Sequence, residues 1–191
     1  DQSFTLDPEN DLPEFSNMVV VLSNIQDTNG NLLVNDTIQF RTADESPPLI
    51  SASGLASTNQ YCYIDFSEGV FSSNSGEGGI ELDDLEYTFE SNGGNCTSVD
   101  VLEIKNYTGA LLSGGETLIY AYVELNSSPS GSETIMFAPS DGSSIFDQGG
   151  NPMHPSSITG TMTLNASAEI DSLFLDPSNE YLDVIFSNGI Y

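Results

Sequence analysis

Any chemistry in this chain has to come from carboxylates. The 191 residues carry 29 Asp and Glu against Lys105, Arg41 and His154, for a formal net charge of -27. A single histidine, set between Pro152 and Pro155 with no cysteine near it, does not build a zinc site and reads as a surface-loop residue. There is no Gly-x-Ser-x-Gly elbow and no Gly-rich phosphate loop followed by Lys. Carboxylate pairs for glycoside hydrolysis exist by number alone, but no pair is singled out. What carboxylates at fixed spacing can do is hold a hard, oxygen-seeking cation.

Two segments have that spacing. Asp27-Thr28-Asn29-Gly30-Asn31 puts side-chain oxygens at alternate positions around a glycine, and Asp147-Gln148-Gly149-Gly150-Asn151 is a sparser version of it. Ca²⁺ prefers such loops, although the bidentate Glu of an EF-hand is missing. The other reading is an Asx-turn joining two strands. The candidate metal residues are Asp27, Asn29, Asn31, Glu68, Asp147 and Asn151. Asp65, Asp83 and Asp84 are expected to converge with Glu68 and Asp147 at one end of the fold, or to be exposed loop carboxylates.

The elements that position these residues follow from a repeat. Residues 50–71 align without gaps on 170–191, matching Leu55 to Leu175, Asn59 to Asn179, Tyr61 to Tyr181, Phe66 to Phe186, Ser67 to Ser187 and Gly69 to Gly189. Residues 25–31 align on 145–151 at the same offset of 120. This predicts the back half of one repeat over 1–47, a complete repeat over 48–168 and the opening strands of another over 169–191, with Pro47-Pro48 at the first junction. Alternation predicts strands at 18–22, 37–41, 60–66, 85–89, 99–104, 117–124, 134–138 and 158–164. Cys62, Ile64 and Phe66 point inward, as do Leu182, Val184 and Phe186 in the second copy. About seven short strands in about 120 residues describe an all-β, immunoglobulin-like Greek-key β-sandwich in tandem repeats.

With those motifs in hand, the runs Phe66-Ser67-Glu68-Gly69-Val70-Phe71, Gly131-Ser132-Glu133-Thr134-Ile135 and 145–151 resemble bacterial Ig-like repeats of large surface proteins, of the S-layer, cadherin-like and swimming-motility glycoprotein types. The resemblance covers the complete repeat and both partial ones, and it implies spacers, adhesins, surface layers or filament subunits. Asn188 stands where Glu68 does, so a carboxylate there is not a property of every copy. In a secreted sandwich, Cys62 and Cys96 are expected to form a disulfide, with a buried free thiol as the alternative because Leu182 occupies the place of Cys62.

Five Asn-x-Ser/Thr sequons, at Asn35, Asn95, Asn106, Asn126 and Asn165, offer glycosylation sites in a number close to what this composition produces by chance. Tyr61, Tyr63, Tyr120 and Tyr122 are spaced to form a sugar-stacking face or to pack on neighbouring strands.

The charge disfavours nucleic acid and anionic lipid, and it implies high ionic strength, divalent cations or a solvated acidic surface. No apolar stretch is long enough to span a membrane, and the N-terminus has no signal-like segment, as expected of an excerpt or a processed product. The reading is a non-enzymatic, extracellular or cell-surface structural repeat protein, a building block of a layer, stalk or filament. It would associate with other copies or neighbouring repeats by strand or end-to-end contact. The alternative is a Ca²⁺-dependent adhesin or carbohydrate-binding module.

Overall fold

Runs of alternating apolar and polar residues, cut by Gly, Asn, Ser and Pro clusters, give strands and turns with no sustained helix. The computed structural model describes Ser3 and residues 5–186, and its chain divides into two units, Asp1–Ser46 and Pro47–Tyr191. In the first unit, β1 (Asn17–Leu22) and β2 (Asp36–Arg41) pair antiparallel from Asn17 opposite Arg41 to Leu22 opposite Asp36. Arg41 lies 3.4 Å from the centre of the Phe15 ring and donates to the Phe15 carbonyl, a cation–π contact that closes the open end of the hairpin. Val19, Val21, Ile38 and Phe40 remain exposed.

The second unit holds β3 (Ile50–Leu55), β4 (Tyr61–Val70), β5 (Leu85–Glu90), β6 (Val99–Lys105), β7 (Glu116–Leu125), β8 (Thr134–Pro139), β9 (Met162–Thr163), β10 (Ile170–Leu175) and β11 (Leu182–Phe186). One four-stranded sheet runs β3-β4-β7-β6 and a three-stranded sheet runs β5-β8-β9, with every pairing antiparallel. Period-2 alternation puts Cys62, Ile64, Phe66, Ile119 and Ala121 of the first sheet into one core with Ile135, Phe137 and Met162 of the second. Full burial of side chains such as Ile64 and Phe137 stabilises the fold by about 1.5–3 kcal/mol each. The result is a β-sandwich-like pair of sheets.

Where a strand was expected over 158–164, only Met162–Thr163 forms one. Thr159 still bonds laterally: its N–H donates to the Phe137 carbonyl and its hydroxyl accepts from the Phe137 N–H at 2.8 Å, so a side chain replaces one ladder bond.

The hairpins repeat in register. In β3–β4, Ile50 faces Phe66, a bulge follows, and Ala52, Ser53, Gly54 and Leu55 face Asp65, Ile64, Tyr63 and Cys62. In β10–β11, Ile170 faces Phe186, a bulge follows, and Ser172, Leu173, Phe174 and Leu175 face Ile185, Val184, Asp183 and Leu182. Every pair is displaced by 120 residues, bulge included. The connecting turns also match. Ala56 N–H bonds the Tyr61 carbonyl and Asn59 N–H the Ala56 carbonyl; Asp176, Tyr181 and Asn179 make the same two bonds. Asn59 and Asn179 occupy the left-handed region at φ 57° and 62°, a conformation that Asn tolerates better than most residues.

One cross-strand pair is inverted. Gly54 leaves room for the Tyr63 ring, since a Cβ there would lie 2.5 Å from it, and in the other hairpin the aromatic is Phe174 and its partner is the small Asp183.

The two hairpins differ in burial. Cys62, Ile64 and Phe66 are 0, 0 and 3% exposed, whereas Leu182 and Val184 are 53 and 40% exposed and Phe186 is only partly buried. The inward orientation expected of the second set is therefore not realised, because among the described residues β11 pairs with β10 alone and no second sheet faces it. Ser187, Asn188 and Gly189 lie outside the described residues.

The β3–β4 turn is fastened at its tip. Asn59 Nδ2 donates to the Asn165 carbonyl at 2.8 Å and Asn59 Oδ1 accepts the Asn165 N–H at 2.8 Å. Asn59→Gly keeps the left-handed backbone and removes both bonds, so a loss of about 1–2 kcal/mol is expected in urea unfolding. No change in the midpoint would mean that the clamp contributes nothing.

Candidate functional site

Asp27 and Asp147 build the same turn. Asp27 Oδ1 accepts the N–H groups of Asn29 and Asn31, both at 2.8 Å, and Oδ2 accepts Asn31 Nδ2 at 2.7 Å. Asp147 Oδ1 accepts the Asn151 N–H at 2.8 Å and Oδ2 accepts Asn151 Nδ2 at 2.9 Å. The main chain agrees: Asp27 N–H bonds the Asn31 carbonyl and Leu33 N–H the Ile25 carbonyl, and Asp147, Asn151, Met153 and Ile145 make the equivalent bonds. Bridges Gln26–Leu32 and Phe146–Pro152 continue the offset of 120. Gly30 and Gly150 supply the left-handed residue at φ 83° and 88°. The hydrogen bonds from Asn31 hold the Asp27 carboxyl below its ordinary range. In both copies the Asp and Asn side chains close the turn on themselves, which is the Asx-turn geometry.

Of the five carboxylates expected at one end of the fold, Glu68 and Asp147 meet, with ligand oxygens within 4.8 Å of one another. Glu68 comes from the far end of β4, and Asp147 is 0% exposed because the Phe71–Phe146 bridge draws its loop against the strand. Two carboxylates at that distance are suited to a hard cation, and Ca²⁺ takes about six to eight oxygens, more than two carboxylates carry. Asp83 and Asp84 sit elsewhere, in the 3-10 turn Leu82–Asp84 ahead of β5, where Asp84 accepts the Glu81 N–H at 2.7 Å. Burial raises the Asp84 carboxyl, and Asp83, Glu81 and Asp141 add to the rise. Asp65 lies on β4 opposite Leu118 of β7.

A second fully buried carboxylate belongs to Glu133, 0% exposed like Asp147. Its oxygens accept from the backbone N–H groups of Cys96 (2.9 Å), Ser130 (3.0 Å), Gly131 (3.0 Å) and Ser132 (3.1 Å), and from the Ser130 hydroxyl. Burial alone would push this carboxyl up, but the N–H groups around it outweigh that and hold it at about 2. Gly94 makes room for it, since a Cβ there would lie 2.2 Å from Glu133 Oε1. The role was not read from the sequence. The available signal was Ser130-Gly131-Ser132-Glu133, a short polar run from which an acid can reach back to the preceding N–H groups.

The expected disulfide is absent: Cys62 and Cys96 are both buried free thiols. Cys96 Sγ is turned to the Ser98 carbonyl at 3.2 Å and Asn126 Oδ1 at 3.4 Å, while Cys62 sits in the β4 core row, where burial pushes its thiol up to about 12. A thiol so raised is un-ionised at neutral pH and unreactive.

The sequons fall into two groups. Asn126 Oδ1 accepts the N–H groups of Thr97 and Ser98 and its Nδ2 donates to Thr97 Oγ1; Asn165 Nδ2 donates to the Ala56 carbonyl. A glycan on either would have to replace structural bonds. Asn35 and Asn95 are exposed, and Asn106 uses its Oδ1 to shape the turn through Thr108 and Ala110. The tyrosines share a sheet: Tyr61 packs edge-on to Tyr120 at 5.1 Å and tilted to Tyr122 at 5.7 Å, with Lys105, paired to Glu103, 5.7 Å from the Tyr122 ring. His154 Nδ1 is engaged by Ser156, its Oγ at 2.6 Å and its N–H at 3.1 Å.

No family model, curated protein or solved structure matches the chain.

Proposed function

We propose that this chain is a non-enzymatic structural repeat protein of the cell exterior, made of immunoglobulin-like modules of about 120 residues that serve as building blocks of a layer, stalk or filament. The observation that carries the proposal is the exact displacement of two hairpin registers, a bulge, two left-handed Asn turns and two Asp turns by one interval. A module reused along one polypeptide produces that pattern, and stacked modules span distance. The strand orders β3-β4-β7-β6 and β5-β8-β9 support the immunoglobulin-like reading, since they coincide with the ABED and CFG sheets of constant-type domains. Among the carboxylates with defined partners, Asp27, Asp84, Glu116, Glu133 and Asp147 act as caps on backbone N–H groups, which is structural work.

The reading predicts concentration-dependent, end-to-end association. Sedimentation velocity and electron microscopy of the chain over a range of concentrations, with Ca²⁺ or chelator, should show elongated oligomers that grow with concentration. A monomer at all concentrations in both conditions would count against the building-block reading.

A carbohydrate-binding module is the second reading, favoured by the clustered Tyr61, Tyr120 and Tyr122 rings. It requires glycan-array binding that Tyr61→Ala abolishes.

A further inference from the structure

Two Asn-Gly steps lie among the described residues, Asn29–Gly30 and Asn92–Gly93. At such a step the second residue has no side chain to keep its amide nitrogen away from the Asn side chain. The two differ in what holds the asparagine. Asn92 is tethered at its amide: Nδ2 donates to the Ser132 carbonyl at 3.0 Å and to Thr134 Oγ1 at 3.2 Å, and the Gly94 N–H closes the turn around it on the Ser91 carbonyl at 2.7 Å. Asn29 is exposed, its main-chain N–H is held by Asp27 Oδ1, and among the described residues nothing bonds its side-chain amide. Gly30 stands in open space at φ 83°, and its N–H bonds the Asp27 carbonyl at 3.0 Å in a turn that water reaches. The matching turn of the repeat has Gly149 in the place of Asn29, so the same Asp–Asn closure forms without an asparagine there.

We infer that Asn29 is a site of spontaneous covalent modification, deamidation through a cyclic imide, with water as the co-reactant. The Gly30 nitrogen gives its proton to solvent base and attacks Asn29 Cγ. The nitrogen–carbon bond forms, the Cγ–Nδ2 bond breaks, and the amide nitrogen takes up a proton and leaves as ammonia. The succinimide so formed then adds one water at either of its carbonyls. Opening at the side-chain carbonyl gives aspartate on an unchanged main chain. Opening at the main-chain carbonyl gives isoaspartate, whose main chain runs through Cβ and is one carbon longer. Either product sets a new carboxylate beside Asp27. Isoaspartate also lengthens the chain between Asp27 and Asn31, which close the turn through bonds of 2.8, 2.7 and 2.9 Å, and so breaks their register. The turn at 147–151 escapes this chemistry because glycine stands at its second-to-third step. The conversion is a property of the turn itself and is independent of the building-block reading.

The test incubates the whole chain, folded and in urea, in mildly alkaline buffer made with water labelled in its oxygen. Mass spectrometry of proteolytic peptides follows the loss of ammonia and the gain of label at residues 29 and 92. In urea the two steps, Thr28-Asn29-Gly30 and Ser91-Asn92-Gly93, should convert at similar rates, because nothing tethers either and their sequences are alike. In the folded chain residue 29 is expected to convert faster than residue 92 by about tenfold or more, since two hydrogen bonds must open before the Asn92 amide can turn. Asn29→Gly, which copies the residue of the other turn, should abolish the change in the peptide that carries residue 29. Equal rates at the two residues in the folded chain, faster conversion at residue 92, an unmodified residue 29 once the unfolded chain has converted, or a change that persists in Asn29→Gly overturns the inference.

Discussion

Glu133→Ala is expected to destabilise the second unit by about 2–4 kcal/mol, because it leaves one buried and three part-buried backbone N–H groups without their acceptor. The groups concerned are those of Cys96, Ser130, Gly131 and Ser132, which converge on one side chain from two loops. Glu133→Gln should be nearly as damaging. It matches the shape of glutamate but turns an NH₂ toward N–H donors, so a donor faces donors where an acceptor stood. Gly94→Ala should do comparable harm by pushing the carboxylate out of its cradle.

The same residue predicts a pH dependence. Its folded carboxyl lies at about 2 against an ordinary value near 4.5. The unfolded chain therefore binds the proton first on acidification. The stabilisation is fully present above about pH 4.5 and is lost as pH falls from there through about 2. Urea midpoints measured from pH 7 down to pH 2 should fall across that window in the native chain and fall less in Glu133→Gln. Parallel curves would remove Glu133 from the account.

Asp147→Ala is expected to cost about 2–3 kcal/mol, whereas Asp27→Ala should barely move the urea midpoint. The turns have the same bonds at an offset of 120, so the difference isolates burial. Asp147 itself is buried and Asn151 half-buried, so Asn151 N–H and Nδ2 would lose an acceptor that water replaces only in part. Around Asp27 the turn is exposed and water takes over. Relief of repulsion with Glu68 offsets part of the cost at Asp147. Equal losses at the two positions would show that the turns are not held as the geometry indicates.

Local pattern made much of this fold legible. The period-2 rows of Cys62, Ile64 and Phe66 and of Ile119 and Ala121 depend only on which face is apolar, and the interval of 120 was readable because Asn59, Tyr61, Phe66 and their counterparts keep their types. The Asp turns were legible too, including the alternative that they close on themselves. Less legible was anything that depends on a distant neighbour. Leu182 and Val184 carry an inward pattern, but burial needs a facing sheet, and pattern cannot say whether one is present. The cysteine pairing failed for a similar reason: Cys96 spends its Sγ on Asn126 and Ser98, a choice set by the loop at 126–127 rather than by Cys spacing. Glu133 was hidden because its partners lie in two loops that the sheets bring together.

β10–β11 has the register, bulge and turn of β3–β4 and differs from it in what covers it. Native-state hydrogen exchange of the whole chain, resolved to single residues, tests this most directly. Residues 61–66 should be protected close to the level of global unfolding, while residues 182–186, in the same register, should exchange at least about a hundredfold faster. Equal protection of the two segments would contradict the account, since β11 would then be covered as β4 is.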